Sequence, residues 1–143
     1  MAMSAVHDAP VNLVMSVGCL EVASYWKHWP CLFPQHGPGP KHKRPIILAP
    51  WQRRVALETY PELLVRGLIH SDGCRVINNV KVRGKRYAYS RYHFTNHSYD
   101  IHSIFAEACA AVGVTCRFNN RWSQSIARRE YVRRMDKIVG PKC

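Results

Sequence analysis

The sequence predicts an α+β fold in the order α-ββ-α-ββ-α over residues 51–143. Three observations predict it. Apolar residues recur at helical spacing up to Asp72, then alternate directly after Gly73. Arg83-Gly84-Lys85 separates two alternating runs as a hairpin turn would. The pattern then repeats, with a helical stretch between Ser98 and Gly113, two short alternating runs, and a last helical stretch stopped by Gly140-Pro141.

Residues 10–26 alternate at Val11, Leu13 and Met15, and again at Leu20, Val22 and Ser24, so two short strands meet at Gly18. Residues 29–45 are rich in proline and glycine and form an irregular connector, which Trp29, Leu32 and Phe33 should pin to the body. Residues 1–50 are therefore an N-terminal strand pair with connector, and residues 51–143 one domain. A short helix is expected at 51–59. Pro61 suits the first turn of the next helix, where its missing N–H costs nothing. Gly73 is expected to stop that helix in the left-handed conformation.

On the strand after Gly73, Cys74, Val76, Val80 and Val82 are assigned to the core face, and Arg75, Ile77, Asn79 and Lys81 to the outer face. On the returning strand Ala88, Tyr92 and Phe94 face inward, while Tyr87, Tyr89, Arg91, His93 and Thr95 face out. Ser98 caps a helix at about 99–112, with Asp100 in its first turn. Its buried stripe is Ile101, Ile104, Phe105, Ala108 and Val112. Val114, Cys116 and Phe118 then point in, Thr115 and Arg117 out, with a turn at Asn119-Asn120. The last helix, about 128–139, buries Tyr131, Val132, Met135, Ile138 and Val139. Its Arg128, Arg129, Arg133 and Arg134 make a solvated face.

The chain has 143 residues, 47% of them hydrophobic, enough for one domain or one domain with an appendage. Its 21 Lys and Arg against 9 Asp and Glu give a formal charge of +12, which points to a polyanionic partner. No apolar run reaches the roughly 18 residues of a membrane span. Residues 1–10 lack the charged start and apolar core of a secretory signal. The six cysteines, Cys19, Cys31, Cys74, Cys109, Cys116 and Cys143, are irregularly spaced and read as free thiols of a reducing cytoplasm. Cys31, His36 and His42 lack the paired spacing of a zinc site.

Two features carry chemistry. The first is the outer face of the hairpin, which gathers basic, aromatic and hydrogen-bonding side chains: Arg75, Asn79, Lys81, Lys85, Arg86, Tyr87, Tyr89, Arg91 and His93, with Arg117 from the next strand pair. A ribbon of that kind fits the major groove of double-stranded DNA; an ordinary solvated sheet face would look similar. The second is Leu63-Leu64-Val65-Arg66-Gly67-Leu68-Ile69-His70-Ser71-Asp72-Gly73. Gly67 and Ser71 share a helical face at i, i+4, where small side chains let another helix approach. Asp72 is a carboxylate at the helix end of a basic chain. An ordinary glycine-stopped helix fits the same spacing.

The string Gly67-Leu68-Ile69-His70-Ser71-Asp72-Gly73 resembles the core of the LAGLIDADG motif of homing endonucleases, with His70 where the family has Asp and Ser71 where it has Ala. The resemblance extends over residues 51–142. His28-Trp29-Pro30-Cys31-Leu32-Phe33-Pro34-Gln35-His36-Gly37-Pro38-Gly39 and Val139-Gly140-Pro141-Lys142 resemble a bacterial, actinobacterial-type branch, whose upstream helix-turn-helix and GDG motif are not found here. The resemblance implies one LAGLIDADG half, an antiparallel sheet with helices packed on one face, in a single-motif or truncated form. It implies a magnesium- or manganese-dependent DNA endonuclease without organic cofactor. Asp72 would be the catalytic acid and metal ligand, and the Gly73 backbone a further ligand. Because each motif helix delivers one acid, a homodimer or a missing first half would complete the site, with Leu64, Gly67, Leu68 and Ser71 at the interface. His70 would contact structure near that interface. A cytoplasmic, nucleoid-associated location follows. The alternative is the non-catalytic DNA-binding module of a transcriptional regulator.

Overall fold

The computed structural model describes residues 10–141, in two units that divide between His36 and Gly37. Cys143, Lys142 and most of the N-terminal segment considered as a signal lie outside the described residues. In the first unit, strands β1 (Val11–Ser16) and β2 (Cys19–Ser24) pair antiparallel from Val11↔Ser24 to Ser16↔Cys19. Gly18 takes the turn at φ +77°, as its lack of a Cβ allows. A four-residue helix α1 (Trp29–Leu32) follows. Its rings pack on one another: Trp26 meets Trp29 edge-on at 5.3 Å, and Trp29 meets Phe33 at 5.9 Å.

The second unit begins with a backbone segment held by its own polar groups and by a helix far along the chain. Ile46 N–H donates to Asp100 Oδ2 at 2.7 Å. The helix expected at 51–59 is α2 (Pro50–Arg53) running into a wider π-helical stretch, Arg54–Thr59. The Tyr60 N–H reaches back five residues to the Val55 carbonyl. Then come helix α3 (Pro61–Asp72), strands β3 (Gly73–Val82) and β4 (Lys85–Thr95), helix α4 (Tyr99–Ala111), strands β5 (Arg117–Asn120) and β6 (Ser123–Ile126), and helix α5 (Arg129–Val139). This is the order expected from the sequence. The four strands form one antiparallel sheet, β3-β4-β6-β5.

All three long helices lie on one side of that sheet. Val65 and Ile69 of α3, Phe105, Ala108, Cys109 and Val112 of α4, and Val132, Met135 and Val139 of α5 close over Tyr92, Phe94 and Ile126. Phe94 and Phe105 stack at 4.2 Å, a pair worth about 0.5–1.5 kcal/mol beyond the area it buries. Ser98 caps α4, accepting from Ile101 N–H, and Gly113 leaves it at φ +69°. The β3–β4 turn places Arg83 at φ 48° and Gly84 at φ 81°, the pair of positive values that a two-residue hairpin turn needs.

Three expectations are corrected. Gly73 is extended, at φ −112°, not left-handed. Glycine is needed there for space: an added Cβ would lie 2.8 Å from Ile69 Cα and 3.0 Å from its carbonyl oxygen. Second, the sides of β3 are exchanged. Arg75 pairs with buried Tyr92 and Asn79 with Ala88, and cross-strand partners share a face. Arg75, Ile77, Asn79 and Lys81 therefore lie on the helix side, and Cys74, Val76, Val80 and Val82 on the open side. The hairpin outruns the helices, which is why Ile77 on the covered side is still 60% exposed. Third, Asn119 and Asn120 belong to β5, and the turn falls at Arg121-Trp122.

Gly73→Ala should lower stability by roughly 1–3 kcal/mol, because the methyl must displace backbone rather than a flexible side chain. Chemical denaturation of the two proteins measures it; equal midpoints would show that the junction yields.

Candidate nucleic-acid interface and acidic helix end

The open side of the sheet is built by parity. Starting from buried Tyr92 and Phe94, the odd positions of β4 place Lys85, Tyr87, Tyr89, Arg91 and His93 on the open side. The pairing Arg117↔Ser125↔His93 adds Arg117 to the same side. Six of the ten side chains assigned to DNA from sequence are thus brought together. The other four, Arg75, Asn79, Lys81 and Arg86, lie on the opposite side of the hairpin.

Tyr87 and Tyr89 are 40% and 50% exposed, and their rings stack nearly parallel, 6.1 Å apart. Asn119 Nδ2 donates to His93 Nδ1 at 3.3 Å, and Ser125 Oγ donates to Asn119 Oδ1 at 2.8 Å. Burial first, and then the charge of Arg91, hold the His93 imidazole below its usual range, so it is neutral near neutral pH. With Nδ1 as acceptor, the proton sits on Nε2, a single donor for an acceptor above the sheet. Arg91 Nε is buried without a partner. Asn78, which pairs with Tyr89, and Asn119 were missed from sequence. Strict alternation from Arg117 would have found Asn119; Asn78 was hidden by the exchanged parity of β3.

Arg75 is spent on another task. Its Nε donates to Asp136 Oδ1 at 2.7 Å and its Nη2 to Oδ2 at 3.2 Å, and Tyr92 Oη donates to Oδ1 at 2.7 Å. This ties β3 and β4 to α5. The Arg75 guanidinium, helped by the Tyr92 hydroxyl, holds the Asp136 carboxyl below the usual carboxylate range. Burial, with Asp136 alongside, pushes the Tyr92 phenol up.

At the end of α3, Asp72 is exposed and its Oδ2 accepts from Asn96 Nδ2 at 2.8 Å. Asn96 is itself buried and satisfied on every side. Its Oδ1 accepts from Ser98 N–H, its N–H donates to the Trp122 carbonyl, and its own carbonyl meets His102 Nε2 at 2.9 Å. One residue thus orients the acid from β4, α4 and the β5–β6 turn together. His70 Nε2 meets the Val139 carbonyl at 3.0 Å, so it ties α3 to the end of α5. Among the described residues no three His, Cys, Asp or Glu side chains are grouped to hold a metal ion.

The expected helix interface divides. Leu64 and Leu68 are partly buried against this domain's own core. Gly67 and Ser71 are exposed, Gly67 has nothing within 4 Å of an added Cβ, and Leu63 on the same stripe is 64% exposed.

No family model matches the chain, and no curated protein sequence does. Among solved structures it is similar to the crystal structure of a homing endonuclease, I-TnaI, at 18% identity and a TM-score of 0.44, over 54% of this chain and 55% of that one. The chain thus spans about half the length of that structure. No described helix is long and apolar enough to cross a membrane.

The depressed Asp136 carboxyl gives a stability that is present above the ordinary carboxylate pKa, near 4, and lost as pH falls through its lower folded value. Asp136→Asn should therefore cost roughly 0.2–1 kcal/mol at neutral pH, the range for an exposed pair, and progressively less in acid. Thermal melts from pH 7 to pH 2 measure the convergence; a gap that stays constant would mean that the pair's charge is unimportant.

Proposed function

We propose that this domain binds double-stranded DNA on the open side of its four-stranded sheet. As a twofold pair of copies, or joined to a separate first half, it would then hydrolyse a phosphodiester bond at Asp72. The observation that carries the binding is the open face itself: Lys85, Arg91 and Arg117 with stacked Tyr87 and Tyr89 and a neutral, oriented His93. Arginine and lysine supply phosphate contacts, and the amides and imidazole supply donors and acceptors for base edges.

The acid fits a divalent cation in part. Asp72 offers a carboxylate fixed by Asn96, the type of outer partner that orients metal ligands. Magnesium or manganese binds through one or two such carboxylates with phosphate and water. Asp72, with the Gly73 backbone as the LAGLIDADG resemblance implies, would hold the ion, and no organic cofactor is needed. A bound ion would activate water and offset charge on the leaving oxygen. What this chain does is to aim Asp72 from the helix end and hold DNA beside it. A second acid must come from another copy or from a separate first half, and the exposed stripe of Leu63, Gly67 and Ser71 offers α3 as the seam. Gly67 supports this: a mid-helix glycine costs about 1 kcal/mol against alanine, and nothing inside the domain uses its small size.

One observation favours the second reading, a non-catalytic module of a transcriptional regulator. Asp72 belongs to no group of three or more His, Cys, Asp or Glu side chains among the described residues, and one of its oxygens is already engaged.

Asp72→Asn tests the two. With the parent cutting plasmid DNA in magnesium or manganese, the variant should lose cutting and keep DNA affinity. Retained cutting would remove Asp72 from the chemistry, and a parent that binds but never cuts would leave the regulator. DNA affinity should fall steeply with salt, by about 0.9 log units per log unit of salt for each phosphate contacted, and a flat dependence would argue against the sheet face.

Gly67→Leu should leave the domain folded, since open space surrounds that position, and shift it to monomers in sedimentation. Self-association equal to the parent's would place the seam elsewhere.

A further inference from the structure

On the covered side of the hairpin, away from the open sheet face, β4 and α5 enclose a cleft of about 240 Å³. Arg75, Ser90, Arg129, Arg133 and Asp136 bring its charged and hydroxyl groups, with Tyr89 at the rim and Ala88, Ala127 and Val132 as apolar wall. The cleft exists because β4 outruns β6. Pairing with β6 begins at Tyr92, so the edge of β4 at Ala88–Ser90 has no strand beside it, and alternate residues aim backbone groups outward there.

The charges do not balance. Asp136 is neutralised by Arg75 through two hydrogen bonds. Arg129 and Arg133 have no acidic partner among the described residues, and the nearest acid in sequence, Glu130, is paired with Arg128 at 3.8 Å. Two like charges are thus held on adjacent turns of one helix, an arrangement that costs stability unless an anion joins them. The N-cap residue Arg128 supplies no side-chain acceptor to the first turn of α5, which adds a further positive end at the same place. The volume is below the roughly 300–1,000 Å³ typical of pockets for drug-sized molecules. A small, highly charged group fits better.

We propose that this cleft is a phosphate-binding site, with Arg129 and Arg133 as its ligands and the Arg75–Asp136 pair as its fixed floor. Guanidinium groups match phosphate oxygens two by two. The phosphate is either a phosphodiester of DNA that passes around the hairpin edge or a free polyphosphate. The site shares only Tyr89 with the sheet face, and its two arginines are not among those assigned to DNA there, so tripolyphosphate binding tests it independently of that reading.

Calorimetric titration of the full chain with inorganic tripolyphosphate at low salt tests it. The parent should bind saturably. Arg133→Gln and Arg129→Gln should each weaken binding roughly tenfold, as loss of a charge-assisted contact implies. Arg66→Gln, which removes the same charge from exposed α3, should leave it unchanged. All three positions are exposed, so the variants should fold and melt no lower than the parent, the Arg129 and Arg133 variants slightly higher as the like-charge pair is removed. Absence of saturable binding, or an Arg66→Gln loss equal to that of Arg133→Gln, would overturn the site. A second arm separates the sources. If the Arg129→Gln/Arg133→Gln double variant shows a salt dependence of duplex binding shallower by about 0.9 per lost contact, the phosphate is that of DNA. An unchanged dependence with lost tripolyphosphate binding assigns the cleft to free polyphosphate.

Discussion

Burial of Tyr92 and Phe94 under three helices is the constraint on which the rest depends. Both side chains leave β4 on the same side, and both are almost wholly removed from water. Side chains alternate along a strand, so fixing these two fixes every other position of β4. Antiparallel pairing then transmits the choice to β3, β6 and β5. The open face is the remainder of that choice. Lys85, Tyr87, Tyr89, Arg91 and His93 face out because their neighbours must face in.

The junctions make this choice rigid. At Gly73 the chain passes from α3 to β3 with no room for a Cβ, so the strand begins at one register against the helix. The clamp of Arg75, Asp136 and Tyr92 then holds the hairpin against α5. Just past the same end of β4, Asn96 ties the strand to α4, to the β5–β6 turn and to Asp72. A buried amide with every group satisfied is costly to disturb. The acid at the helix end and the basic sheet face therefore keep a fixed relation.

The positive charge is distributed with the same economy. Arg75 and Arg53 are absorbed by Asp136 and Glu107. Arg91 and Arg117 stand on the open face, while Arg129 and Arg133 stand over the cleft behind the hairpin. Net charge alone indicates a polyanionic partner. Which arginines are available to it depends on which acids lie within reach, and those acids are distant in sequence.

The sequence by itself determined the order of elements, because periodicity, the Ser98 cap and the glycine stops are local signals. It also determined the outer face of β4, where Arg91 and His93 alternate with buried Tyr92 and Phe94 and the tyrosines continue the same parity. It could not determine the sides of β3. Ile77 and Val76 are both apolar, and the hairpin extends beyond its helices, so neither face reads as consistently buried. Only the pairing of Arg75 with Tyr92 settles that, sixteen residues of local pattern being silent about which strand positions meet. Tertiary structure also gave Gly73 its reason, which is proximity to Ile69 rather than a left-handed turn. It alone brought Asp136 to Arg75 and Asn96 to Asp72, because those contacts require elements far apart in the chain to be packed before the side chains meet.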